Sequence, residues 1–91
     1  IYSYMAVAAL YGHDYAGAVD AYDKIDELDG SMRRNYMKAN YLRANQLIKS
    51  GSYRKAVPCL KAAAYYSPKS TRFNQLSRFW LAEAYYRTGA L

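Results

Sequence analysis

The chain has 91 residues, a net charge of +6 and 53% hydrophobic residues. This length allows one small domain with a modest core, and no apolar run approaches the ~18 residues of a membrane-spanning helix. We therefore expect a folded domain without membrane insertion. Cys59 is the single cysteine, which excludes an internal disulfide. We expect it to be a small buried residue of a helix.

The charge is distributed unevenly along the chain. Residues 1–30 carry six acidic side chains and one basic side chain, a net charge of −5. Residues 31–91 carry twelve basic side chains and one acidic side chain, a net charge of +11. Halves of opposite sign favour oriented docking, either along a larger chain or onto an acidic partner.

The first thirty residues predict a hairpin of two helices. Tyr4, Val7, Ala8 and Tyr11 recur at the spacing of one helix face, and Gly12 ends that pattern. Asp14 is a suitable N-cap for a second helix, which we expect to run until Gly30 stops it. The apolar stripe of this second helix, above a polar face of aspartates, consists of Tyr15, Ala18, Val19, Tyr22, Ile25 and Leu28.

Residues 31–68 predict a second hairpin of the same design. Its first helix begins at Ser31 or Met32 and runs to Gly51, and Ser52 caps its partner helix. Pro58 removes one backbone donor from the partner helix and is expected to bend the helix without ending it. The apolar positions are Tyr36, Met37, Tyr41, Ala44, Leu47 and Ile48 in the first helix, and Tyr53, Ala56, Val57, Leu60, Ala63 and Ala64 in its partner.

A fifth helix is predicted over about residues 70–88, with Gly89 marking its end. Its expected packing residues are Phe73, Leu76, Trp80, Leu81, Ala84 and Tyr85. The chain holds no hairpin mate for this helix. We therefore expect its apolar side to pack on the preceding helix or to support self-association.

A shift of 38 residues relates these units to one another. It places Ala18 on Ala56 and superimposes Ala6, Ala44 and Ala82. Small residues at matched positions let helices approach closely, and hairpins that cannot bury their apolar faces alone must stack. The predicted fold class is all-α, an α-solenoid of antiparallel helix hairpins with about five helices. Residues 1–91 would form a single domain, with hairpin 1 at about 1–30, hairpin 2 at about 31–68 and the first helix of hairpin 3 at about 70–88.

At these positions the chain resembles a tetratricopeptide repeat protein. The second hairpin carries the family's signals in Gly51-Ser52-Tyr53, Ala56, Leu60, Ala63 and Pro68. The first hairpin matches more loosely, with a turn at Gly12-His13-Asp14-Tyr15 that we interpret as one residue longer, and Gly30 in place of proline. The period exceeds the family's period of about 34 residues by about one helical turn, which keeps helix faces aligned. We expect the first helix of the second unit to be the long one.

The resemblance implies a protein–protein interaction scaffold or adaptor, without catalysis or a cofactor. Partner peptides or protein segments would bind in a concave groove lined by the first helices. The groove-facing residues implied by the repeat register are Ser3, Val7, Leu10, Tyr41, Asn45, Ile48, Phe79, Glu83 and Tyr86, with Lys38, Lys49 and Arg87 at the edges. Aromatic rings beside an amide and cations suit an extended peptide. The alternative is that Tyr41, Phe79 and Tyr86 pack between neighbouring hairpins. The family's lysine-and-asparagine carboxylate clamp is not met, because only Asn45 fits it.

No pattern in the sequence predicts an active site, a metal site or a small-molecule substrate. The acidic run lacks the turn glycine and alternating spacing of a calcium loop, and its side chains are expected to form a solvated face. His13 lies in a turn with no nucleophile at a suggestive spacing, so it is expected to be a surface residue.

The basic residues leave one alternative function open. Residues 33–55 interleave arginine and lysine with tyrosine, which is compatible with a helical-repeat RNA-binding module. Because these cations are spread around the helix and the first unit is acidic, we favour a protein or peptide partner of acidic character over nucleic acid.

The chain begins at Ile1 without methionine and ends at Leu91 just past a turn signal, so we expect it to be a piece of a longer protein. The wording "SPKS…FWLAEAYY" is most similar to long-repeat tetratricopeptide proteins of the bacterial cell envelope. That resemblance implies the cell envelope or periplasm, with the cytoplasm as the alternative.

Overall fold

The computed structural model describes residues 2–89, which form five α-helices and no strand. The helices are α1 (Tyr2–Tyr11), α2 (Tyr15–Asp23), α3 (Gly30–Lys49), α4 (Tyr53–Tyr66) and α5 (Arg72–Thr88). The predicted all-helical class is therefore confirmed. Ile1, Ala90 and Leu91, which the predicted domain includes, lie outside the described residues. No helix among residues 2–89 combines the length and the apolar character needed to cross a membrane.

Consecutive helices pack on one another, and α1 also packs on α3. One core cluster joins α3, α4 and α5 and contains Ala44, Leu47, Ala56, Leu60 and Ala84. The other contains Ala6, Ala21 and Tyr22, with Ile25, Leu28, Met32 and Tyr36 packed against it. Ala18 and Ala56, which the repeat relates, are both fully buried, so the second helices α2 and α4 use the same position to approach their neighbours.

Three turn residues in left-handed conformation recur at the repeat spacing. His13, Gly51 and Gly89 have φ angles of 64°, 82° and 72°, and they are the positive-φ positions among the described residues. Glycine adopts this conformation without steric cost, whereas histidine is only tolerated there. The interpretation of the first turn as one residue longer is therefore wrong. His13 simply occupies the position of the turn glycine.

The hydrogen bonds of these turns repeat as well. The Asp14 N–H donates to the Ala9 carbonyl at 2.8 Å, and the Ser52 N–H donates to the Leu47 carbonyl at 2.7 Å. Each bond closes the end of a first helix through a carbonyl that has no partner within the helix. The two turns therefore aim α2 and α4 in equivalent ways.

Of the two predicted N-caps, Asp14 forms a capping hydrogen bond and Ser52 does not. Asp14 caps α2 as predicted, because its Oδ1 accepts from the Gly17 N–H at 3.0 Å. Ser52 stands at the N-cap position of α4, but its side chain accepts no capping hydrogen bond. α4 continues through Pro58, as expected.

α2 ends earlier than the sequence pattern predicts. Its last residue is Asp23, and residues 24–29 are irregular. Aspartate is a weak helix former, and acidic side chains near a helix C-terminus oppose the helix dipole. Asp23, Asp26 and Glu27 gather at that end, which explains the early stop. Ile25 still packs on the core from outside the helix.

Gly30 does not stop α2; it begins α3. The Asp29 side chain accepts from the Met32 N–H at 2.9 Å and caps α3 at its N-terminus. This backbone hydrogen bond is the main reason why the pKa of Asp29 lies below its ordinary value. With 20 residues, α3 is the longest of the described helices, in agreement with the expectation from the period.

Three of the four residues in the predicted stripe of α1 face solvent instead of the core, and the fourth, Val7, is half-buried. Tyr4 and Tyr11 are 79% and 80% exposed, and Ala8 is exposed as well. The buried residue is Ala6 on the opposite side. Because α1 contains no charged residue, its periodicity does not distinguish the inner face from the outer face.

A buried asparagine attaches α5 to the end of α4. Asn74 Nδ2 donates to the Ala64 carbonyl at 2.9 Å and to Ser67 Oγ at 3.2 Å. Asn74 is 3% exposed, so these bonds form away from water. They fix the start of α5, and with it the direction of the face that carries the predicted site residues.

The left-handed turns give a first testable prediction. We expect His13→Gly to raise the free energy of unfolding by about 1 kcal/mol, because glycine removes the Cβ strain of this conformation. Gly51→Ala should lower it by about 1 kcal/mol. Urea unfolding of each variant measures the change.

Gly30→Ala is the control, because Gly30 has ordinary backbone angles and open space around its Cα. It should be neutral or slightly stabilising. Destabilisation by His13→Gly would contradict the equivalence of the turns.

Ser77 gives a second prediction. It is fully buried, its hydroxyl has no hydrogen-bond partner among the described residues, and Ala39 is equally buried 38 residues earlier. We expect Ser77→Ala to raise the free energy of unfolding by about 1 kcal/mol, since a buried unpaired hydroxyl destabilises by about 1–3 kcal/mol. Ser67→Ala removes a bonded hydroxyl and should have the opposite sign in the same thermal or urea unfolding measurement.

Candidate functional site

Two of the predicted groove residues are large exposed side chains on α5. Phe79 is 59% exposed and Tyr86 is 71% exposed. They stand seven residues apart, about two helical turns, and therefore share one face of the helix. Ala82 lies between them and is exposed, whereas Ala6 and Ala44 are fully buried. The expected close approach at Ala82 is therefore absent in the described chain, and the face of α5 with Phe79, Ala82 and Tyr86 is open.

The predicted groove residues of α3 differ in exposure. Lys38 and Lys49 are exposed, whereas Tyr41 and Asn45 are half-buried. The Tyr41 ring meets the Phe73 ring edge-to-face, with centroids 5.4 Å apart. Tyr41 thus partly serves packing between α3 and α5, while Phe79 and Tyr86 leave most of their surface to solvent.

Glu83 and Arg87 pair with each other. Arg87 Nε donates to Glu83 Oε2 at 2.8 Å, and the guanidinium lies 5.4 Å from the centroid of the Tyr53 ring. The hydrogen bond to Glu83 is the main cause that raises the pKa of Arg87 above its ordinary value. These contacts hold the last turn of α5 against the start of α4. The other residues predicted to face the groove, Ser3, Val7, Leu10 and Ile48, are half-buried.

The basic residues of the alternative RNA surface lie in different surroundings. Arg33 lines an acidic cleft, and Arg43 is half-buried and donates to Gln46 Oε1 at 3.3 Å. Arg54 borders a small apolar pocket of about 320 Å³ with Tyr85. They do not form a single stripe along the helices.

A second candidate site, which the sequence did not predict, is a cleft of about 920 Å³ beside residues 24–29. We name it the tyrosine cleft. It is lined by Tyr22, Asp23, Ile25, Asp26, Glu27, Leu28, Arg33, Tyr36, Tyr65 and Tyr66. Residues 24–28 correspond by the repeat to 62–66, the last residues of α4. α2 is therefore shorter than α4 and lacks the equivalent of its last turns. The cleft lies beside the irregular segment that takes their place.

Edge-to-face contacts connect the four rings of the tyrosine cleft. Centroids are 6.0 Å apart for Tyr22 and Tyr36, 5.3 Å for Tyr36 and Tyr66, and 5.0 Å for Tyr65 and Tyr66. Such pairs stabilise beyond their buried area and restrain the rings. The signal in the sequence was the pair Tyr65-Tyr66 at the end of the predicted fourth helix, together with the acidic residues in the last turns of the predicted second helix.

The Tyr36 hydroxyl donates to Asp23 Oδ1 at the edge of this cleft. Burial, and after it the hydrogen bond and charge of Asp23, raise the pKa of Tyr36 to about 12. The Tyr36 phenol therefore ionises at a higher pH in the folded chain than in the unfolded chain.

The surroundings of His13 and Cys59 indicate a structural role for each. His13 is exposed in its turn, and its Nδ1 lies 2.8 Å from the Tyr15 hydroxyl. Cys59 is half-buried against the core instead of fully buried, and burial raises the pKa of its thiol. Within residues 2–89, no group of three or more His, Cys, Asp or Glu side chains is placed to hold a metal ion.

Comparisons of the chain with protein-family models, with curated proteins and with solved structures gave no match in any of the three.

Tyr36 gives a prediction about pH dependence. The raised pKa means that the unfolded chain ionises this phenol first, so its contribution to stability is complete below pH 10 and is lost as the pH rises to about 12. In Tyr36→Phe, the free energy of unfolding should fall less steeply over this range. Urea unfolding at a series of pH values measures the slope.

Asp23→Asn should flatten the same slope by a smaller amount, because the carboxylate is the lesser cause of the shift. Equal slopes for the original chain and Tyr36→Phe would show that Tyr36 is not protected from ionisation.

Proposed function

We propose that this chain is a tetratricopeptide-like α-solenoid segment that acts as a protein–protein interaction scaffold. One face of its first helices, α3 and α5, would receive a partner peptide or protein segment, without catalysis or a cofactor. The observation that carries the proposal is the exposure of Phe79 and Tyr86 on one face of α5. Large apolar side chains exposed together on one face are typical of interaction sites.

Two features of the fold support the helical-repeat part of this proposal. The left-handed turn residue recurs every 38 residues, and the hydrogen bonds that close α1 and α3 are equivalent. Stacked equivalent hairpins place their first helices side by side, which forms an extended binding face. The contact of Tyr41 with Phe73 is consistent with this arrangement of α3 and α5.

Charge supports a partner of acidic character. The exposed amines of Lys38 and Lys49 flank the half-buried Asn45, and residues 31–91 carry a net charge of +11. An extended peptide could place apolar side chains against the exposed rings and carboxylates near the lysines, while the Asn45 amide bonds its backbone. This combination of contacts favours an acidic peptide with interspersed apolar residues.

Selection from a random peptide library on the immobilised chain tests the proposal. We expect selected peptides to combine acidic and apolar residues, and we expect the double variant Phe79→Ala/Tyr86→Ala to weaken their binding at least tenfold. Loss of two aromatic anchors of an interface commonly has an effect of about this size. Fluorescence anisotropy with the labelled peptides measures the dissociation constants.

Tyr4→Ala is the matched control, because Tyr4 is as exposed as Tyr86 but lies on α1, in the face opposite the buried Ala6. It should leave the peptide affinity unchanged. Equal losses in both variants would refute a site on α5. Binding of single-stranded RNA that falls steeply with salt would instead favour the nucleic-acid alternative.

A further inference from the structure

The tyrosine cleft is acidic in a chain whose net charge is +6. Asp23, Asp26 and Glu27 line it, and Arg33 is the cation at its wall. Among residues 2–89 there is a single ion pair, between Arg87 and Glu83 on α5. The three carboxylates of the cleft therefore have no ion-pair partner among residues 2–89.

The rings at the mouth of the cleft are also free of cations. Elsewhere in the chain Lys24, Lys61 and Arg87 lie over tyrosine rings, at 5.4–5.8 Å from the centroids. None of the described cations lies over Tyr65 or Tyr66. Tyr65 is 81% exposed, although it lies in the last turn of α4. A cation beside such a ring is attracted by the negative face of the π-system.

The donor set and the size of the cleft suit an organic cation. The carboxylates are not grouped for metal coordination anywhere in the described chain. The volume of about 920 Å³ falls in the range of about 300–1,000 Å³ that is usual for organic ligands. A ligand that fills it would need positive charge for the carboxylates and a flat or apolar body for the rings.

We propose that the tyrosine cleft binds an arginine side chain presented by a basic segment of a partner protein. The planar guanidinium stacks on aromatic rings and forms paired hydrogen bonds with a carboxylate, whereas the lysine ammonium meets a ring or a carboxylate only as a compact charge. Tyr65 and Tyr66 provide the rings, and Asp26 and Glu27 provide the exposed carboxylates. The hydrogen bond from Tyr36 holds the Asp23 carboxylate at the inner edge.

This binding site is separate from the face of α5 in the proposed function. It is built from α2, residues 24–29, α3 and α4, and it selects the opposite charge. Either site can therefore fail its test without affecting the other.

The test is fluorescence anisotropy with a labelled ten-residue peptide in which arginine alternates with alanine and leucine. A lysine peptide and a glutamate peptide of the same pattern are the comparison probes. We expect the arginine peptide to bind at least threefold more tightly than the lysine peptide. Asp26→Asn should not weaken any binding of the glutamate peptide, because its charge suits the face of α5 and not the cleft.

Two matched pairs of variants locate the binding. Asp26→Asn should weaken binding of the arginine peptide about fivefold, whereas Asp20→Asn, which removes a nearby exposed carboxylate outside the cleft, should change it less than twofold. Tyr65→Ala should weaken binding by about fivefold, a loss typical of one cation–ring contact with its packing. Tyr11→Ala removes an equally exposed ring elsewhere and should have no effect. Far-ultraviolet circular dichroism establishes that each variant is folded.

Three results would overturn the proposal. Equal weakening by Asp26→Asn and Asp20→Asn would mean that the peptide responds only to overall charge. Unchanged binding in Tyr65→Ala would show that the Tyr65 ring does not contribute to the site. Self-association in analytical ultracentrifugation that Asp26→Asn abolishes would make a second copy of this basic chain the occupant instead of a partner.

Discussion

The left-handed residue that ends each first helix is the constraint on which the arrangement of the helices depends. At positions 13, 51 and 89 the chain leaves right-handed helical geometry for one residue. In the first two turns, the following N–H then bonds back to a carbonyl of the last helical turn. This bond leaves little freedom in the direction of the next helix. Ala18 and Ala56 consequently reach equivalent buried positions, and the close contact of helices at these alanines follows from the turn.

The same repeat also explains the origin of the tyrosine cleft. α2 and α4 begin at equivalent residues, but α2 ends at Asp23 whereas α4 continues to Tyr66. The difference lies in charge, because α4 ends in alanine and tyrosine while the corresponding segment of the first unit contains Asp26 and Glu27. Helical geometry in that segment would add negative charge to the negative end of the helix dipole. The unwound segment keeps its apolar residues on the core and its carboxylates beside the rings of α4.

Much of the fold could be predicted from the sequence, because its strongest signals are local. Five helices, the cap at Asp14 and the buried alanines 6, 18, 44 and 56 follow from spacing and residue type, whereas Ala82, predicted at an equivalent position, is exposed. The buried face of α1 could not be predicted, since a helix without charged residues has no polar side to mark its exposure. The equivalence of the turns could not be predicted either, because the left-handed position is usually glycine and the first turn has His13 there. Asn74 and Ser77 are buried polar residues at core positions, which the apolar pattern passes over.

The candidate sites likewise differ in how much of each could be predicted from the sequence. The exposure of Phe79 and Tyr86 agrees with the register, but the packing of Tyr41 on Phe73 depends on how two helices meet and has no local signal. The tyrosine cleft combines residues from three helices and an irregular segment, so only the folded chain brings them together. The carboxylates of the cleft give it a negative charge, whereas α3 and α5 each carry a net positive charge. If one partner occupied both proposed sites, with an arginine-rich segment at the cleft and an acidic apolar segment at α5, it would bind in one orientation, because reversing it would bring like charges together at both sites.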